Sequence, residues 1–291
     1  MATTLTQLEL DHRNIDCGMS YVFHLEDGRF FIIDGGYFTP GEADRLYEFL
    51  LQKSGGEKPV IAGWFFSHAH QDHIGAFIEF TRKYLDKAVI EQLLFHFQPI
   101  DYSWVKEEDG WKSSDEATAK EFYRVLETDC KHIPVVTPHT GDVLRFGELT
   151  VEVLYTQEDL WPAPACGNDY STVIAVNLCG QRILFLGDAE TKADQVLLDH
   201  NKDALACDIL QVAHHGFNGS TIELYAQTHA KVALWPSPAP NMEQNRATEV
   251  NHYILNDMGI TDHIVSGYGT AELCFPYVPG SAKREDKQFY P

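Results

Sequence analysis

The sequence predicts an α/β fold: a four-layer αββα sandwich in which two mixed sheets pack face to face with helices outside. Three observations lead there. The order hairpin, aspartate, helix, strand, histidine occurs twice along the chain. Apolar residues make up 44% of the 291 residues, enough for a sizeable buried core. Three histidines and an aspartate crowd into "HAHQDH", directly after an apolar run. A single domain is expected over residues 1–291, with an insert at about 81–140 that could serve as a lid.

The first copy of the pattern opens with "SYVFHLEDGRFFIID", residues 20–34, two apolar runs about the turn signal Asp27-Gly28. "PGEADRLYEFLLQK" follows with Leu46, Phe49 and Leu50 on one helical face. The strand "VIAGWFF" then runs into His68. The second copy opens with "STVIAVNLCGQRILFLGD", residues 171–188, turning at Gly180-Gln181. After Asp188 come the helical stretch "TKADQVLLDHNK" and the strand "CDILQVA", which ends at His214-His215-Gly216. Helices in both copies can cover the outer faces of two packed sheets.

Between the copies, Ser113 with Glu116 three residues on is a capping-box pattern, which predicts a helix over "DEATAKEFYRVLETDC". Phe95, Phe97, Tyr102, Trp104 and Trp111 precede it. These rings either pack a small core of the insert or wall a substrate site. Trp161 and Trp235 stand in proline-bearing loops and, with Trp104, are candidates for the substrate rim.

The charge balance, 22 Lys+Arg against 43 Asp+Glu for a formal −21, repels phosphate backbones and anionic lipids. Long nucleic acids and membranes are therefore not expected as partners, and a small-molecule substrate is. No apolar stretch reaches the ~20 residues of a membrane helix, and no signal peptide is visible at the N-terminus. Six scattered cysteines without a CxxC pair suit free thiols in a reducing compartment, so a cytoplasmic location is expected. Oligomeric state is not readable. "GxSxG", a P-loop and a dinucleotide fingerprint do not occur, which removes the main rival enzyme classes.

In "FFSHAHQDHIGA", residues 65–76, His68 and His70 lie at i and i+2 beyond a strand, so both can turn onto one ion. Asp72 and His73 continue the turn toward a second position. Imidazole with carboxylate suits zinc, iron or manganese rather than calcium or magnesium. The helix starting here aims its positive end at any anion in the cleft.

The stretch "SHAHQDHIG" matches the HxHxDH signature of the metallo-β-lactamase superfamily, which the chain resembles. The blocks "GNDYSTVIAV", "ILFLGDAE" and "CDILQVAHHGFNGS" are similar to the branch containing the hydrolase domain of bacterial competence proteins. The resemblance covers most of residues 15–270 and implies the same αββα fold. It also implies two divalent ions, zinc first, with manganese or iron as alternatives. His68 and His70 would hold metal 1; Asp72, His73 and one histidine of the 214–215 pair metal 2; Asp188 would bridge. His214 is the preferred ligand because it follows the strand most closely, leaving His215 to handle protons; the reverse assignment stays open. Asp34 would fix a ligand from behind.

One departure stands out. The superfamily usually supplies a third metal-1 histidine some twenty residues before the bridging aspartate. That place here offers Asn168 and Asp169, with His139 the nearest upstream alternative. The chemistry implied is a metal-dependent hydrolase, with Asp72 orienting the attacking water and carrying a proton. Its substrate would be a phosphodiester or other phosphate-bearing small molecule, or an ester, thioester or lactone. The alternatives are an iron-dependent sulfur/oxygen redox enzyme, and a non-catalytic metal- or ligand-binding sensor module.

Overall fold

The computed structural model describes residues 2–9, 18–98, 112–160, 166–217, 219–238 and 249–285. Two sheets stack across a core with helices on both outer faces, so the chain is an αββα sandwich. The first sheet begins with β1 (Thr4–Gln7), β2 (Ser20–His24) and β3 (Phe30–Asp34). After α1 (Pro40–Lys53) comes β4 (Val60–Phe65), parallel to β3. Both hairpin strands, α1 and the strand into His68 therefore fall where their periodicity predicts.

α2 (Gln71–Tyr84) is the helix expected after the histidine cluster, and it takes Asp72 and His73 into its first turn. Its first turn docks against the loop after β3, where Gly35 N–H donates to His73 O at 2.9 Å and Ala76 N–H to Gly36 O at 3.0 Å. A Cβ on Gly75 would come within 2.7 Å of the Phe38 backbone nitrogen, so only glycine permits this approach.

Three short strands lie within the insert expected at about 81–140. β5 (Val89–Ile90) and β6 (Leu93–Leu94) pair with β4 in parallel, and β7 (Val135–Val136) pairs with β6. These short apolar runs complete the first sheet, because β4 would otherwise leave its backbone groups unpaired. Between β6 and β7, the stretch 95–134 carries α3 (Lys112–Thr128), whose Phe122 packs edge-on against Phe66. Trp104, Tyr102 and Trp111 lie outside the described residues, as does Trp161.

The second sheet holds β8 (Val143–Phe146), β9 (Leu149–Tyr155), β10 (Val173–Leu178) and β11 (Gln181–Phe185), joined antiparallel. α4 (Thr191–His200) then leads to β12 (Ile209–Gln211), parallel to β11 as β4 is to β3. α5 (Ile222–Thr228), β13 (Val232–Trp235), α6 (Glu249–His252) and β14 (Asp262–Val265) finish this half. β15 (Ala271–Cys274) and β16 (Lys283–Arg284) return to the first sheet beside β1.

Alternation along the strands explains the layers. Phe23, Phe31, Phe65, Phe146, Val151 and Phe185 point between the sheets. Phe30, Ile32 and Trp64 point to α1 and α2, and Leu184, Leu210 and Ala233 point to α4 and α5. Parallel β3 and β4 end on the same edge as β11 and β12, which places Asp34, His68, Asp188 and His215 together.

Candidate metal centre

Asp34 ends β3 with a positive φ of 55° and anchors the centre. It is fully buried, accepts from Ser67 N–H and Oγ at 2.8 Å each, and holds His73 Nδ1 at 2.7 Å. That bond fixes the His73 tautomer, with the Nε2 lone pair facing inward. In the second sheet Gln211 does similar work. Its Oε1 accepts from Leu186 and Gly187 N–H at 2.8 Å each, pinning the turn that delivers Asp188. Gly187 has φ 57° and lies against Ser67 and Ser171, where a Cβ would sit 3.1 and 3.0 Å from theirs.

Four buried groups meet here: Asp72, His73, Asp188 and His215. His215 Nε2 lies 3.1 Å from Asp72 Oδ2, 3.1 Å from Asp188 Oδ2 and 3.3 Å from His73 Nε2. His73 Nε2 is 3.2 Å from Asp188 Oδ2. His215 Nδ1 bonds Pro236 O at 2.9 Å, so its Nε2 lone pair also faces inward. With both rings neutral, four acceptors face one another, and the positive charge they call for is met either by protons on the two rings or by a cation.

Two further buried atoms border this cage. His68 Nε2 and Asp188 Oδ1 have no hydrogen-bond partner, although His68 is fully buried and Asp188 is 2% exposed. His68 Nε2 lies 3.8 Å from Asp188 Oδ2, and its ring meets that of His70 edge to face at 4.4 Å. Buried orphans of these two types are donor atoms suited to a second ion, with Asp188 spanning the two positions.

The electrostatics favour positive charge in the cage: burial opposes it on His215, but the carboxylates of Asp188 and Asp72 raise that pKa to about 9. Burial, with the neighbouring His73 and His70, pushes the His68 pKa well below the usual imidazole value, leaving a neutral ligand. Burial also opposes charge on His73, but the carboxylates of Asp188, Asp34 and Asp72 raise its pKa well above the usual range. For Asp188 burial favours the neutral acid, and His215 and His73 override it, holding its pKa well below the ordinary carboxylate value.

Three expectations are corrected. His215, not His214, enters the cage. Both residues are left-handed (φ 48° and 54°), and the consecutive turn sends their rings apart. His214 Nδ1 instead pairs with Glu190 Oε1 at 3.2 Å. Asp169 does not face the centre: its Oδ1 accepts from Lys192 and Ala193 N–H at 3.0 and 3.1 Å and is spent capping α4. Trp235 is fully buried in the second half's outer core, its Nε1 donating to His263 Nδ1 at 3.1 Å, so it lines no open rim.

Asn168 differs from Asp169 in keeping one buried polar atom unspent. Its Nδ2 donates to Glu190 Oε1 at 2.7 Å while Oδ1 is buried without a partner. His139 lies elsewhere, beside Glu158 and His96. Two participants were missed. Glu190 stood in the quoted "GDAE" block without a role. Asp115, on α3, reaches 3.7 Å from His70 Nε2 and accepts from Gln71 N–H. No local signal in the sequence marks it.

Fold and site together define an α/β sandwich protein with a buried histidine–carboxylate cage at the strand ends. The chain belongs to the metallo-β-lactamase superfamily, whose family model matches residues 16–229. It is 27% identical over 161 residues to ComE operon protein 3 of Bacillus subtilis, covering 55% of this chain and 18% of that protein. Among solved structures it is similar to the metallo-β-lactamase fold protein YhfI from Bacillus subtilis (TM-score 0.51, 12% identity, 80% of this chain and 85% of that one). CmlA, a diiron β-hydroxylase from Streptomyces venezuelae, matches 94% of this chain over 54% of its own (TM-score 0.51, 13% identity). Among the described residues no helix is long and apolar enough to cross a membrane.

Proposed function

We propose that the protein is a metal-dependent hydrolase of a small molecule bearing a phosphate ester or an activated acyl group, working in the cytoplasm. The observation that carries this reading is the convergence of four inward-facing acceptors, Asp72 Oδ2, His73 Nε2, Asp188 Oδ2 and His215 Nε2. Asp72, His73, Asp188 and His215 would hold one ion, and His68 and His70 with Asp188 the other. Zinc is the first choice, with manganese or iron as alternatives for this donor set. What such ions supply when bound is a lower pKa for water and compensation of charge growing on a substrate oxygen.

The chain's own residues divide the remaining work. Asp34, Ser67 and Pro236 O fix the tautomers of His73 and His215, so neither ring turns as charge shifts in the centre. Asp72 is the more exposed of the two cage carboxylates, at 7% against 2%, so its other oxygen, Oδ1, is the one to pass a proton to a leaving group. His214, a quarter exposed and held by Glu190, takes the proton-handling place expected for His215.

Protein purified without chelator should contain at least two ions, and a panel of chromogenic phosphodiester, phosphomonoester, ester and lactone substrates should reveal turnover. An Asp72→Ala control should fall by ~10²-fold or more. If no substrate is hydrolysed faster than by that control, the hydrolase reading fails. The donor set also suits iron, which is the ground for the second reading, an iron-dependent oxidase. A visible absorption band with two irons bound would move the assignment there. Ion binding without any turnover would leave the sensor reading.

A further inference from the structure

We propose a separate cation site at His96, His139 and Glu158, which takes a zinc-like ion and clips the roots of the 95–134 excursion to the second sheet. This site shares no residue with the cage described above. Its ligand atoms come from three separate stretches: His96 just beyond β6, His139 just beyond β7, and Glu158 in the 3-10 turn after β9. One ligand atom from each lies within 4.8 Å of the other two.

The tautomers suit an ion. His96 Nδ1 donates to Pro138 O at 2.8 Å, which leaves Nε2 as the lone-pair nitrogen. A ring held from behind by a backbone carbonyl is how proteins present an imidazole to a metal. His139 Nδ1 lies 3.0 Å from Glu158 Oε2, and its ring meets that of His96 edge to face at 5.0 Å. Bonds of about 2.0–2.1 Å in a tetrahedron give ligand-to-ligand edges of about 3.3–3.4 Å, so this pair need open only by a few tenths of an ångström to take an ion.

A fourth group points the same way. Gln157 is 7% exposed, its Nε2 sits 3.2 Å from His96 Nε2, and its Oε1 has no hydrogen-bond partner. A half turn of the terminal amide exchanges nitrogen for oxygen and turns Oε1 toward the ion. Two imidazoles, a carboxylate and an amide oxygen are a borderline donor set, which selects zinc over magnesium or calcium. The frame is preorganised: His139 N–H donates to Asp142 Oδ2 at 2.8 Å, and Asp159 closes a capping box with Thr156.

Placement gives the site its consequence. β4, β6 and β7 are parallel, so His68, His96 and His139 follow one edge of the sheet, and Glu158 closes the edge from the other sheet. Strands sit about 4.8 Å apart, which puts this ion about 5–10 Å along the edge from the cage. It ties together both ends of the excursion that carries α3, and α3 carries Asp115 to His70.

The test is zinc uptake at micromolar free Zn2+, measured by metal analysis after gel filtration on the full chain. Wild type should retain one equivalent more than His139→Ala or Glu158→Gln. An Asp188→Ala protein, its cage disabled, should keep that same equivalent, and Zn2+ should raise its melting temperature. Adding His139→Ala to Asp188→Ala should abolish both effects. His139 and Glu158 are exposed, so these variants are expected to fold. His252→Ala, which removes an unrelated exposed histidine, should match wild type. Equal uptake by wild type and His139→Ala overturns the site, as does an equal loss in His252→Ala.

Discussion

Asp188 is the residue on which the centre turns, because its carboxylate faces both His68 and the Asp72–His73–His215 group. Asp188→Ala should therefore strip most of the metal, while Asn168→Ala, which removes one amide oxygen at the margin, should lose less. Metal analysis of the two purified variants measures the difference, and equal losses would mean that the bridge lies elsewhere. Gly167 makes a different point at the same scale. A Cβ there would sit 2.2 Å from His70 Nε2, so Gly167→Ala must push that ring out of place. Metal content and any turnover should fall, by ~10-fold or more on the scale of a displaced ligand, while the melting temperature changes little.

Two helices illustrate how elements, rather than single residues, govern behaviour. α3 brings Asp115 to 3.7 Å from His70 Nε2, and the same carboxylate accepts from Gln71 N–H at the start of α2. Asp115→Asn keeps the helix and the acceptor but removes the charge behind His70. Metal affinity should weaken by ~10–100-fold, the usual size of such a loss, as a zinc titration would reveal. α4 carries Asp194, 1% exposed, which accepts from Thr221 N–H at the start of α5. Burial is the main cause that pushes its pKa up to about 7, and the nearby Asp169 adds to it.

The sign of that shift follows directly. Because the folded pKa is raised, Asp194 contributes its full stability below about pH 4, where both states are protonated. The contribution is lost as pH climbs toward about 7 and stays lost above it. Asp194→Asn cannot ionise, so its stability relative to wild type should improve across that window by ~4 kcal/mol and then level off. Urea unfolding of both proteins from pH 4 to pH 8 provides the comparison. A difference that does not change with pH would refute the assignment.

At the scale of the whole molecule, the contact between the sheets holds the two halves of the cage in register. Gly63 on β4 faces the second sheet, and a Cβ there would lie 2.7 Å from Phe146 Cε1 and 3.1 Å from Leu94 Cδ1. Gly63→Ala should destabilise the fold by ~1–3 kcal/mol, the usual cost of overpacking a filled core. The melting temperature should fall, with metal binding preserved in the molecules that remain folded. Thermal unfolding with metal analysis separates this global effect from the local one at Gly167. The chain spans 13% and 18% of the length of two curated relatives it matches, so their activities do not transfer to it as a whole.

The sequence by itself determined the layers and the anchor points. Periodicity placed β2, β3, α1, β4, β10, β11, α4 and β12, since strand and helix spacing is written locally in the order of apolar residues. It also put Asp34, His68, Asp188 and the histidine pair at strand ends, where parallel strands gather their loops. Tertiary structure alone decided the directions of side chains. His215 rather than His214 faces inward because two left-handed residues in a row reverse their rings, and φ is not legible in "AHHG". Asp169 became a helix cap and Trp235 core for the same kind of reason: a polar or aromatic side chain takes its role from whichever neighbour the fold supplies. Asp115, His96 and Glu158 meet their partners across 45, 43 and 19 residues of chain respectively, and a contact between distant segments leaves no pattern in either.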